Sequence, residues 1–138
     1  MVAEVLEFVR PMVAPGVTTG DLNEAAGEKM KELGGTPSFL NYVVRNKIYP
    51  GNLCISIDDE IVHGIPGRCV YRGKRVPDRA LEAGQVVTVD CGVLYDGYHG
   101  DSAVTFPVGD ISPEKEALLE TCRLGLWAGI EQLKPGNR

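Results

Sequence analysis

The sequence predicts an α+β fold, an antiparallel β-sheet covered by helices on one face, and three observations predict it. Residues 86–95 form a Val-rich run that ends at Asp96-Gly97, the strongest short hairpin-turn signal, and residues 98–106 return antiparallel. Thr18 stands three residues before Asp21, as at the start of a capped helix, and Ser112-Pro113 opens another. Leu53-Cys54-Ile55-Ser56-Ile57 is a short apolar run of strand length. With 138 residues the chain is long enough for one domain with its own core.

Taken in order, residues 2–10 read as the last turns of an amphipathic helix with Val5, Leu6 and Val9 on one side, stopped by Pro11. Pro15-Gly16 marks a loop, and the helix capped by Thr18 ends near Leu33, before Gly34-Gly35. Residues 37–51 are loop-rich and hold Phe39, Tyr42 and Tyr49. His63-Gly64-Ile65-Pro66 sits in a turn beyond the strand at 53–57. A basic stretch with Arg68, Arg72, Lys74, Arg75 and Arg79 follows and reads as a solvated loop. The last helix runs to about Leu133, with Leu118, Cys122, Leu126, Ile130 and Leu133 as a buried stripe. Pro15-Gly16 and Pro135-Gly136 each follow a helix, as the seam of a chain built from two related halves would.

Charge and cysteines bound the function. A net charge of −5 supplies no basic field for DNA, which is excluded as a main partner. No apolar run is long enough to span a bilayer, so a membrane is excluded too, and the N-terminus lacks the pattern of a signal peptide. Cys54, Cys69, Cys91 and Cys122 stand singly, with no CxxC spacing. Scattered thiols fit a reducing cytosol, and a cytoplasmic location is expected.

The hairpin also carries chemistry. With Asp96 and Gly97 as its turn, Asp90 faces Ala103 and Asp101 faces Gly92. The two carboxylates then share a face as diagonal neighbours, roughly 7–8 Å apart. An Asp in a Val-rich strand is costly unless something neutralises it, and two converging carboxylates are a natural seat for one or two divalent cations. Taken alone, such a pair is more often solvated than metal-bound. His99 falls on the same face.

Three blocks in order, Cys54-Ile55-Ser56 through His63-Gly64-Ile65-Pro66, Val89-Asp90, and Asp96-Gly97-Tyr98-His99-Gly100-Asp101, resemble the type I methionine aminopeptidases. The flanks at 37–42 and 105–109 agree, so the resemblance covers nearly the whole chain. It implies the pita-bread fold, two similar αβ halves around a dinuclear metal centre. Residues 1–138 would be a single domain matching the N-terminal half, with the second half absent. The implied activity is metal-dependent removal of the N-terminal methionine from nascent polypeptides, using two divalent ions drawn from Co, Mn, Fe or Zn.

By residue match, Asp90 resembles the ligand that grips one metal and Asp101 the ligand that bridges both. His63 resembles the family's catalytic, substrate-binding histidine, which hydrogen-bonds near the scissile amide. Tyr49 and Cys54 match positions lining the methionine pocket. His99 matches a neighbour of the metals and stays outside the ligand set. The remaining ligands of the family, one His and two Glu, lie in its second half, and one of those Glu would be the general base.

Departures are visible as well. Asp58 stands where Asn is usual, Asn46-Lys47-Ile48 replaces a stretch usually aromatic and small, and residues 67–78 form a longer segment. The expected partners are N-terminal methionine peptides, the ribosome through the basic segment, and either a complementary C-terminal half or a second copy in a homodimer. Two other readings stay open: a non-catalytic pita-bread module that binds peptides or proteins, and another pita-bread peptidase such as a proline-directed aminopeptidase.

Overall fold

The computed structural model describes residues 1–137. Helix α1 (Val2–Val9) runs into a 3-10 turn (Arg10–Met12), and α2 (Thr19–Glu32) follows a loop. Eight strands come next: β1 (Thr36–Pro37), β2 (Val43–Val44), β3 (Lys47–Ile48), β4 (Leu53–Ile57), β5 (Val70–Tyr71), β6 (Lys74–Arg75), β7 (Val86–Tyr95) and β8 (Tyr98–Pro107). Helix α3 (Pro113–Glu131) is the last of these elements.

Local chemistry accounts for the first elements. Val5, Leu6 and Val9 are the buried side of α1, and Pro11 ends the α-helix by tightening the chain into the 3-10 turn. The Thr18 hydroxyl accepts from the Asp21 amide at 3.1 Å, while the Asp21 carboxylate accepts from the Thr18 amide at 3.0 Å. This reciprocal pair satisfies two donors that the start of α2 would otherwise leave unpaired.

β7 is the centre of the main sheet. β8 lies on one side of it, and β4 and β1 share the other, all antiparallel. The hairpin has the register its turn dictates, with Asp90 opposite Ala103 and Gly92 opposite Asp101. Asp96 and Gly97 both take positive φ, as a two-residue hairpin of right-handed twist requires.

Alternation then divides the faces. Val87, Val89, Cys91 and Val93 of β7 and Leu53, Ile55 and Ile57 of β4 bury against Leu6, Leu22, Ala26 and Met30 of α1 and α2. Cys54, Ser56, Thr88, Asp90, Gly92, His99 and Asp101 belong to the opposite face, where no helix packs among the described residues. There the Thr88 and Thr105 hydroxyls pair across the ladder at 2.8 Å.

Three local expectations are corrected. The apolar stripe of α3 is not buried: Leu118, Cys122, Leu126 and Ile130 are exposed, Leu133 lies past the helix end, and no residue of α3 is buried. The reason is spatial, because α1 and α2 already fill the apolar face of the sheet and α3 leaves the end of β8 without one to cover. The loop-rich stretch contains the hairpin β2–β3, turning at Arg45-Asn46, where both residues take positive φ. The basic stretch likewise folds as the hairpin β5–β6, turning at Arg72-Gly73.

The four cysteines are free thiols. Among the described residues no helix is long and apolar enough to cross a membrane.

Candidate functional site

The open face of the sheet is where the site is built. Cys54 on β4 is the direct ladder partner of Asp90 on β7, and Asp101 stands opposite Gly92 one step along. Gly92 has a specific use here, since a Cβ at that position would lie 2.6 Å from the Phe39 ring. Lacking one, it lets Phe39 lie against the sheet next to the acid pair. The Ser38 amide donates to the Gly92 carbonyl at 2.9 Å, and the Ser38 hydroxyl meets His99 Nδ1 at 2.9 Å.

His63 is brought in by its neighbour. The Gly64 carbonyl accepts from the Ile55 amide at 2.9 Å, and its amide donates to the Ser56 hydroxyl at 3.2 Å. A Cβ on Gly64 would run into the Ile55 carbonyl, so only glycine lets the chain approach β4 this closely. The Tyr49 hydroxyl reaches both the Leu53 carbonyl (3.0 Å) and the Gly64 carbonyl (2.9 Å), tying this segment to the loop before β4. Phe39 packs edge-on against Tyr49, ring centres 6.5 Å apart.

The result is a cleft of about 660 Å³ into which Asp90, Asp101, His63, Tyr49 and Cys54 all project. These are all five residues singled out from the sequence. His99 lines it too, held by Ser38. Ser38, Phe39, Tyr42, Val44, Lys47, Ile48 and Tyr71 make up the rest of the wall without having been singled out as site residues. Lys47 and Ile48 lie in a stretch already marked as unusual, whereas Tyr71 had no signal, because its place depends on how β5–β6 folds over the cleft.

Electrostatics set the chemistry. Burial, and then the adjacent Asp101 carboxylate, push the Asp90 carboxyl up to about 6. Two like charges in one place favour a proton or a cation between them. Burial pushes the Cys54 thiol up to about 11, so at neutral pH it is an apolar wall and not a thiolate nucleophile. Burial likewise raises the Tyr49 phenol far above its ordinary value and keeps it a donor.

A carboxylate pair suits a hard or borderline divalent cation. Among the described residues, no group of three or more His, Cys, Asp and Glu is arranged to hold a metal. Asp90 and Asp101 therefore fit a metal ion as two of its ligands, and the others would come from outside the described residues.

An antiparallel sheet with helices on one face and an acid pair on the other is half of a pita-bread fold. All of residues 1–138 match the model of metallopeptidase family M24, and the chain belongs to that family. Membership implies a divalent metal.

Within the family, the chain is similar to the methionine aminopeptidase of Aquifex aeolicus. The two are 41% identical over 140 residues, covering all of this chain and 51% of that protein. It is 42% identical to methionine aminopeptidase 1 of Mycobacterium tuberculosis, again over the whole chain and 47% of the relative. The crystal structure of methionine aminopeptidase from Thermotoga maritima superposes with a TM-score of 0.82 at 33% identity, covering 98% of this chain and 49% of that one. The chain thus spans about half the length of the curated relatives it matches.

Proposed function

We propose that residues 1–138 are the N-terminal half of a methionine aminopeptidase, a single domain that works with a complementary C-terminal half to remove the N-terminal methionine of polypeptides. One observation carries this reading. Asp90, Asp101, His63, Tyr49 and Cys54 meet in one cleft in a chain 41% identical to a methionine aminopeptidase.

Each residue has a role there. Asp90 and Asp101 would supply part of the ligand set for two divalent ions, of which Co, Mn, Fe or Zn accept such ligands, and ions bound there would supply an acidified water and a Lewis acid. His63 stands at the exposed edge of the cleft and hydrogen-bonds the amide beside the scissile bond. Tyr49 keeps the His63-Gly64 segment against β4. Cys54, Phe39 and the Tyr49 ring offer the apolar, polarisable wall that a methionine thioether prefers. Four free thiols suit a cytoplasmic setting.

The test is release of methionine from a Met-Ala-Ser peptide with added Mn²⁺ or Co²⁺, the C-terminal half of a relative being supplied in trans. Release that disappears in Asp101→Asn is the expected result. No release with both halves present, while the peptide still binds, would make the chain a non-catalytic binding module. Release from Xaa-Pro peptides in preference would make it a proline-directed enzyme.

A further inference from the structure

We infer that hairpins β2–β3 and β5–β6 form a cationic rim that selects polypeptides with acidic residues close behind the N-terminal one; the inference rests on the aminopeptidase reading of the cleft. The two hairpins come from separate parts of the chain. Even so, Lys47, Ile48 and Tyr71 line both the cleft of the acid pair and a second groove of about 680 Å³ beside it. Arg45 and Arg72 stand in that second groove. Lys74 and Arg75 line a third groove together with the same Tyr71 and Arg72.

The charges there have no local counterparts. Residues 33–57 and 61–77 contain no Asp or Glu. Arg68, in the same basic segment, is held by Asp21, Glu24 and Asp78, and Arg79 is held by Glu60. Among the described residues, Arg45, Lys47, Arg72, Lys74 and Arg75 have no carboxylate within ion-pair distance, and all five are exposed. Five cations without a carboxylate partner on two adjacent hairpins, in a chain of net charge −5, run against the overall sign of the protein. Such a local field at the mouth of a cleft concentrates ligands of opposite charge.

Position argues for a polypeptide and against RNA. The rim continues the cleft whose floor carries Asp90 and Asp101, so a chain with its terminus in the cleft passes over the cations. A phosphate backbone on the same path would meet the acid pair and the acidic body of the protein. Each exposed pair contributes little, so the selection needs several acidic residues and is screened by salt.

Fluorescence anisotropy with two C-terminally labelled peptides, Met-Ala-Ser followed by three Asp or by three Ser, tests this on the full chain. Binding of the Asp peptide is expected to be about five- to tenfold tighter at low salt. The preference should vanish near about 0.5 M sodium chloride and in the Arg72→Glu/Lys74→Glu/Arg75→Glu variant. Equal or absent binding of the two peptides overturns the inference, as does a preference that salt leaves untouched. Tighter binding of a short RNA of equal net charge overturns it in favour of a nucleic-acid surface. Release of methionine from the Ser peptide, with Mn²⁺ and the C-terminal half of a relative supplied in trans, reads the aminopeptidase assignment separately, so its absence beside a persisting charge preference removes the catalysis and keeps the rim.

Discussion

Lys115, in the first turn of α3, donates to the Asp58 carboxylate and to the Gly84 carbonyl, each at 2.7 Å. Asp58 takes positive φ just past β4, accepts from the Val86 amide at 3.1 Å and donates its own amide to the Val86 carbonyl at 2.9 Å. One side chain therefore joins the end of β4, the start of β7 and the start of α3. Because α3 buries nothing, this pair is its principal side-chain tether. Asp58 thus has a structural use, since a neutral amide there would pair less strongly with the ammonium.

That tether should be pH-dependent. The Lys115 hydrogen bond is the main cause holding the Asp58 carboxyl below its ordinary value, so the pair adds stability above about pH 4. The contribution disappears as pH falls through the lowered folded value. Hydrogen exchange along residues 113–131 should accelerate near pH 3 relative to pH 7, beyond the intrinsic rate change. Asp58→Asn should cost about 0.5 kcal/mol, because both partners are about a third exposed, and should flatten this dependence. Equal protection at both pH values would show that α3 is held by something else.

The metal-free chain should show the opposite sign at Asp90. Its carboxyl is raised to about 6, so the related stability is complete below about pH 4 and declines as pH rises through 6. An NMR titration should find Asp90 well above an ordinary Asp, falling toward that range in Asp101→Asn. Adding Mn²⁺ at pH 7 should raise the melting temperature of the wild-type chain and leave that of the Asp101→Asn variant nearly unchanged. A melting temperature indifferent to Mn²⁺ would count against the acid pair as a metal seat.

Gly64→Ala should be costly out of proportion to its size. The added methyl meets the Ile55 carbonyl, which is backbone in a buried strand and cannot turn aside. A loss of about 1–3 kcal/mol is expected from a urea titration. The shift should also displace His63, so methionine release in the two-half assay should fall further than stability alone explains. Wild-type midpoint and wild-type rate together would refute the packing argument.

Tyr49→Phe removes a hydroxyl that reaches two carbonyls while keeping the ring against Phe39. Both the loop before β4 and the His63-Gly64 segment lose a restraint. Stability should drop by about 1 kcal/mol, measured by thermal unfolding. The Kd for a methionine peptide should rise, whereas an unchanged Kd would make the hydroxyl purely structural.

Legibility differed by element for physical reasons. The β7–β8 hairpin could be read residue by residue, because a two-residue Asp-Gly turn fixes register and period-two alternation fixes faces. That alone put Asp90 and Asp101 on one surface. The Thr18–Asp21 cap was equally legible, being a contact between residues three apart. The hairpin at Val43-Val44-Arg45-Asn46-Lys47-Ile48 was not read, although Asn46 was a usable turn signal, because two-residue strands are too short for periodicity to register.

By itself, then, the sequence determined the fold class, the register of the central hairpin and the identity of the paired carboxylates, all products of short-range geometry. Tertiary structure decided the rest. It placed His63 through the close approach of Gly64 to Ile55, carried Lys47 and Tyr71 to the cleft wall, and left the apolar stripe of α3 without a partner. Each of these depends on which distant surfaces meet, and local periodicity says which face of an element is apolar but not whether another element arrives to cover it.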